Sequence, residues 1–213
     1  MAFSRPQSWF TVSILLRLLV SASLLLSAGV QAQPFESEPH QRVHNTTERV
    51  LALLKTGIDP AVETDDFVVK LSAILDPVFA FDYIARGVLG RYGDNLTVDQ
   101  QSAFAGSFKK GLVNTYGKGI SGFQEVSIVI KPPSEPLGDS RRATVLQEIT
   151  SPSGVTKVSY SMAKNRQGNW KVINLILSGI NFGQTFRGQF AAAVERNNGD
   201  VNKTIAEWEK GVL

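Results

Sequence analysis

The run Trp170-Lys171-Val172-Ile173-Asn174-Leu175-Ile176-Leu177 constrains the fold more than any other segment of this chain. Its length and its content of Val, Ile and Leu predict a strand. Apolar residues nevertheless fall on both sides of the alternation, Val172 and Ile176 on one and Ile173, Leu175 and Leu177 on the other. A strand with one face in water would alternate apolar with polar residues, so both faces here require an apolar cover. Helices on one face with loops or a second layer on the other would supply it, and so would a ligand pocket.

The neighbouring sequence predicts a sheet for this strand to join. Val126, Ile128 and Ile130 alternate up to Pro132-Pro133, and a second strand spans Arg141 to Thr150. Ser151-Pro152-Ser153-Gly154 turns the chain into a third, Val155 to Lys164, and Asn165 to Asn169 turns it into Trp170–Leu177. In the third strand Val158, Tyr160 and Met162 face inward while Lys157, Ser159 and Ser161 face water. Hairpin-length turns make this an antiparallel meander of about four strands.

On either side of the meander the period is helical. One helix is predicted over Thr46–Lys55 and a second from Thr64, with Phe67, Leu71, Ile74, Leu75 and Val78 on its buried face. Asp82 is read as the cap of a short turn, Tyr83–Val88. Thr97-Val98-Asp99-Gln100 is a capping box, and it opens a long helix with Phe104, Phe108, Leu112, Val113 and Tyr116 on one stripe. The glycines at 117, 119 and 122 are expected to end that helix. Two further helices, Phe182–Asn197 and Asp200–Lys210, close the chain. The fold class is α+β, a twisted antiparallel sheet wrapped by N-terminal and C-terminal helices.

Composition removes several function classes. The chain has no cysteine, and its two histidines are His40 and His44, so most hydrolytic nucleophiles and most zinc or copper sites lack their usual groups. The histidines could clamp a metal at i, i+4 spacing, but residues 33–41 are polar and proline-bearing and read as a loose leader, so no metal is assigned. Arg5 and Arg17, the apolar stretch Leu18–Val30 and Val30-Gln31-Ala32 match a secretory signal peptide cleaved after Ala32. Residues 1–32 are therefore the signal and residues 33–213 one domain. The export segment holds two of the 22 basic residues, leaving 20 against 19 acidic ones. That near balance argues against a nucleic-acid partner. Gly117-Lys118-Gly119-Ile120-Ser121-Gly122 fits G-x-G-x-x-G but follows a helix where a dinucleotide fingerprint follows a strand, so it carries no cofactor assignment. No convergent acid pair stands out, and no catalytic residue is assigned.

Two stretches carry a family resemblance. The first is Val88-Leu89-Gly90-Arg91-Tyr92, then Leu96-Thr97, Gln100-Gln101, Phe104, Phe108 and Thr115-Tyr116. The second is Gly168-Asn169-Trp170-Lys171-Val172, continuing through Gly179-Ile180-Asn181 to Arg187 and Phe190. Together they resemble the MlaC, or toluene-tolerance, family of periplasmic phospholipid-binding proteins. The chain departs from that pattern at Gly93, where the family has an aromatic residue, and at Asn174, where it has an acid.

The resemblance implies an NTF2-like sheet with an apolar cavity, acyl tails held between sheet and helices, and no cofactor beyond the bound phospholipid. It implies a soluble periplasmic carrier that moves lipid between an outer-membrane lipoprotein complex and an inner-membrane ABC transporter, so maintaining outer-membrane lipid asymmetry. The residues expected to line the cavity are Leu112 and Tyr116, Val145 and Ile149, Val158, Tyr160 and Met162, and Ile173, Leu175 and Leu177. Arg91 and Lys118 are expected near the headgroup. Two rival readings stay open on sequence alone, a small isomerase or dehydratase of the same architecture and an envelope assembly or chaperone module.

Overall fold

The computed structural model describes residues 37–56, 64–120 and 126–209. The helical part begins with α1 (Glu38–Leu54), α2 (Thr64–Leu75) and α3 (Phe81–Leu89), followed by a 3-10 turn (Gly90–Asn95) and the long α4 (Val98–Ile120). The meander follows as β1 (Ser127–Ile130), β2 (Arg142–Ser151), β3 (Gly154–Lys164), β4 (Trp170–Leu177) and the two-residue β5 (Ile180–Asn181). Helices α5 (Phe182–Arg196) and α6 (Val201–Glu209) end the described chain. The sheet order is β1-β2-β3-β4-β5, with each pair antiparallel.

Four differences from the sequence expectations have physical causes. Helix α1 starts at Glu38 instead of Thr46, and His40 lies buried inside it within reach of Ser37 Oγ. The inward stripe of α1 includes His40, Val43, Thr47 and Val50 at spacings of three and four, and its two polar members disguise it in the sequence. Helix α3 starts at Phe81, and Asp82 sits in its first turn without capping it. Helix α4 runs through Gly117 and Gly119 to Ile120. A Cβ at Gly117 would lie 3.2 Å from Leu71 Cδ2 and 3.3 Å from Phe67 Cε1, so this glycine lets α2 and α4 approach closely. Gly122 lies outside the described residues. Finally, the left-handed Ser178 and Gly179 turn the chain back so that Ile180 and Asn181 pair with β4, a strand too short to show a period.

Strand β4 carries a bulge. Tyr160 pairs with Leu175 and Ser161 with Asn174, but Met162 pairs with Val172, leaving Ile173 as the extra residue. Its outer edge is covered at one end by β5 and at the other by residues 78–80, where Ala80 N donates to Val172 O (2.9 Å) and Val172 N to Val78 O (2.8 Å). Little of the edge is left to recruit a foreign strand.

Three apolar cores result. Val43 of α1 packs with Val145, Met162, Trp170 and Val172 on one sheet face. The C-terminal half of α1 joins α2 and α4 through Leu53, Leu54, Phe67, Leu71 and Val113. Helices α3 to α6 meet around Phe104, Phe108, Phe186 and Phe190, with edge-on ring pairs Phe104–Phe190 at 5.2 Å and Phe108–Phe186 at 5.4 Å.

The expected capping box is formed: Gln100 N donates to Thr97 Oγ1 (3.2 Å) and Thr97 N to Gln100 Oε1 (2.8 Å). Thr97→Ala should lower stability by about 1 kcal/mol in urea unfolding. Burial lowers the pKa of His40 from its usual 6.5, so the folded state resists protonation that the unfolded chain accepts. Stability is then full above pH 6.5 and falls as the pH drops below it toward the folded-state value. The urea midpoint measured from pH 7.5 to 5 should show that slope, and His40→Gln should flatten it.

Candidate apolar binding face

One face of the sheet is mostly apolar. The register places Ala143, Val145, Gln147 and Ile149 of β2 beside Met162, Tyr160, Val158 and Thr156 of β3, with Ile130 and Ile128 of β1 on the same side. The bulge keeps Trp170, Val172, Leu175 and Leu177 of β4 on that face and turns Ile173 and Asn174 to the other. Ile173 therefore does not share a face with Leu175 and Leu177 as simple alternation predicts. A single inserted residue reverses the side on which every later side chain points.

The face is graded. At the end under the first turns of α1, Val145, Met162, Trp170 and Val172 are at most 2% exposed. Ile128 and Ile149 at the other end, and Leu175 and Leu177 along the β4 side, are only half-buried. Within this face lies a polar bridge: the Tyr160 hydroxyl donates to Gln147 Oε1 (2.6 Å), and Gln147 Nε2 donates to Thr47 Oγ1 of α1 (2.9 Å). The Tyr160 ring is half-buried, but its hydroxyl is enclosed, and burial pushes its pKa up. The side-chain oxygen of Gln147 and one of its amide hydrogens are thus satisfied, in a side chain only 2% exposed.

The residues predicted for the site divide accordingly. Val145, Val158 and Met162 form the packed wall, and Ile149, Tyr160, Leu175 and Leu177 form its accessible continuation. Leu112 packs against the helical cluster of α3 to α6. Tyr116 and Lys118 belong to the last turns of α4, and their side chains lie outside the described residues. Arg91 is exposed on the 3-10 turn, its guanidinium 5.0 Å from the Tyr92 ring centre and donating to the Tyr92 hydroxyl (3.1 Å). Gln147 and Thr47 are the site residues sequence reasoning missed. An isolated glutamine among the inward positions of β2 was the one available signal.

Two clefts lie elsewhere. One of about 740 Å³ is on the opposite sheet face and includes Ile173. Another of about 450 Å³ lies between the start of α1 and residues 133–138. Among the described residues no group of three or more His, Asp or Glu side chains is placed to hold a metal, and no helix is long and apolar enough to cross a membrane.

Known proteins resemble this chain over most of its length. The family model described as MlaC protein matches residues 44–210. Toluene tolerance protein ttg2D of Pseudomonas putida is 34% identical over 203 residues, covering 92% of this chain and 90% of that protein. Among solved structures, a phospholipid-binding protein from Ralstonia solanacearum, determined with a phospholipid, shares the fold with a TM-score of 0.68 at 22% identity, covering 81% of this chain and 99% of the other.

Tyr160→Phe removes the donor to Gln147 and leaves a buried carbonyl oxygen unpaired. The loss should be about 1–3 kcal/mol in urea unfolding. Combined with Thr47→Val it should be non-additive, because both side chains serve the same glutamine.

Proposed function

This chain belongs to the MlaC family, and from that premise we propose that it is a phospholipid carrier whose acyl tails lie on the graded sheet face, with no catalytic step. The observation that carries the reading is that Ile128, Ile149, Leu175 and Leu177 are apolar yet half-buried on the face whose α1-covered end is packed solid. The relative of the same fold was solved with a phospholipid, which supports lipid as the occupant.

Each methylene exposed to water costs about 0.8 kcal/mol, so diacyl lipid does not cross an aqueous gap unaided at a useful rate. A tail lying against Leu175, Leu177 and Ile149 exchanges bilayer contacts for protein contacts at little net cost. Val145, Val158 and Met162 lie beside them on the same face as a packed wall, and the Tyr160–Gln147–Thr47 bridge ties α1 to it. Tyr116 of α4 is the proposed contact from the helical side, and Leu112, packed against the cluster of α3 to α6, is left out. Arg91, held at Tyr92, is left out of the proposed site, whereas Lys118 is kept as a headgroup neighbour.

The wider role follows from the same reading: residues 1–32 are a cleaved export signal, residues 33–213 the carrier domain, and the periplasm its compartment. There it shuttles phospholipid between an inner-membrane ABC transporter complex and an outer-membrane lipoprotein complex, and so sustains outer-membrane lipid asymmetry.

Native mass spectrometry of the purified protein, followed by solvent extraction, should find stoichiometric phospholipid; protein emerging clean under gentle purification would overturn the proposal. Leu175→Glu should reduce retained lipid about tenfold while the thermal midpoint stays within about 4 °C, a shift on the order of 1 kcal/mol. Gross unfolding of that variant would mark Leu175 as packed core instead.

A further inference from the structure

The cleft of about 740 Å³ lies on the sheet face turned away from the proposed acyl surface. Phe79, Phe81 and Ile173 supply apolar surface, the two rings stacked with centres 5.5 Å apart. Its depth comes from small residues, Ala105 and Gly106 on α4 and Ala163 on β3. A Cβ added at Gly106 would meet nothing within 4 Å, so α4 leaves open space at that point.

Six cations line this hollow against two carboxylates, Asp76 and Asp82. Three of the six are engaged within the protein. Lys109 pairs with Asp76 at 3.0 Å, Lys171 donates to the Pro77 carbonyl, and Lys164 lies 5.3 Å from the Trp170 ring centre. Arg86, Arg142 and Arg166 are exposed, and among the described residues their side chains form no hydrogen bond or ion pair. The surplus is local, because basic and acidic residues beyond the export segment number 20 and 19. Guanidinium groups match carboxylate and phosphate oxygens two at a time, and three of them around one hollow repel each other until an anion enters.

We propose that this cleft is a second binding site, for a single-chain anionic amphiphile. A phosphate-monoester or carboxylate head sits at the arginines, and the alkyl segment lies along Phe79, Phe81 and Ile173. The volume falls within the roughly 300–1,000 Å³ of small-molecule pockets. Free phosphate would use the arginines but leave the ring surface idle, and a flat membrane would not reach a recessed floor. The proposal is independent of what the opposite face binds.

The test uses the full protein with whatever lipid it retains on purification, titrated with octyl phosphate below its micellar concentration. Calorimetry should give one site, and native mass spectrometry should show the probe adding to the resident ligand without displacing it. Inorganic phosphate and the uncharged octyl glucoside should each bind at least about tenfold more weakly. The double variant Arg142→Gln/Arg166→Gln should lose about tenfold in affinity. Gly106→Leu should abolish binding with folding retained, since leucine fills the open space and has the better helix propensity. Failure of the wild-type protein to bind octyl phosphate, displacement of resident lipid, unchanged binding by the variants, or inorganic phosphate binding as tightly as octyl phosphate would each overturn it.

Discussion

The bulge at Ile173 joins the two sides of this molecule. Without the extra residue, Trp170 and Val172 would point one way and Leu175 and Leu177 the other, because strand side chains alternate. With it, all four share the face covered at one end by α1. The displaced pair, Ile173 and Asn174, then serves the opposite layer. Asn174 Oδ1 accepts a hydrogen bond from Gly183 N (3.1 Å) at the start of α5, and a Cβ at Gly183 would come within 2.7 Å of that oxygen. Asn174 is thus a helix-anchoring residue.

The residues that carry the family resemblance mostly build scaffold. Val88, Leu89, Phe104, Phe108 and Phe190 are at most 1% exposed and pack the helical cluster. Gly90 takes a left-handed φ of 53° beside the Arg187 guanidinium, whose Nε donates to the Gly87 carbonyl (2.7 Å) and ties α5 to α3. Gly93 is buried with room for little more, since a Cβ there would lie 3.1 Å from Leu89 Cβ. Ring packing and positive φ narrow the residue types a position accepts, so they leave motifs. An apolar surface for acyl chains accepts Ile, Leu, Val or Met equally and leaves none.

The elements legible in the sequence are those whose pattern is local. The capping box at Thr97, the alternation of β2 and β3 and the limits of β4 all rest on neighbouring residues. The first turns of α1 do not show in the sequence because their stripe uses His40, a polar residue that becomes acceptable inside only once Ser37 meets it. Gly117 and Gly119 weaken a helix in isolation, yet α4 continues through them because Gly117 lies against Phe67 and Leu71. That contact depends on α2, 42 or more residues earlier in the chain.

The sequence by itself determined the α+β class, the antiparallel meander and the demand that β4 be covered on both faces. Hydrophobic period and turn residues act over a few positions and need no distant partner. Only the tertiary structure decided which side each apolar residue of β4 faces, that a buried polar bridge forms within that face, and that a basic hollow forms between α3, α4 and the far side of the sheet. Those features depend on strand register and on side chains far apart in the chain, and a one-residue shift in pairing, invisible in composition or period, reverses them.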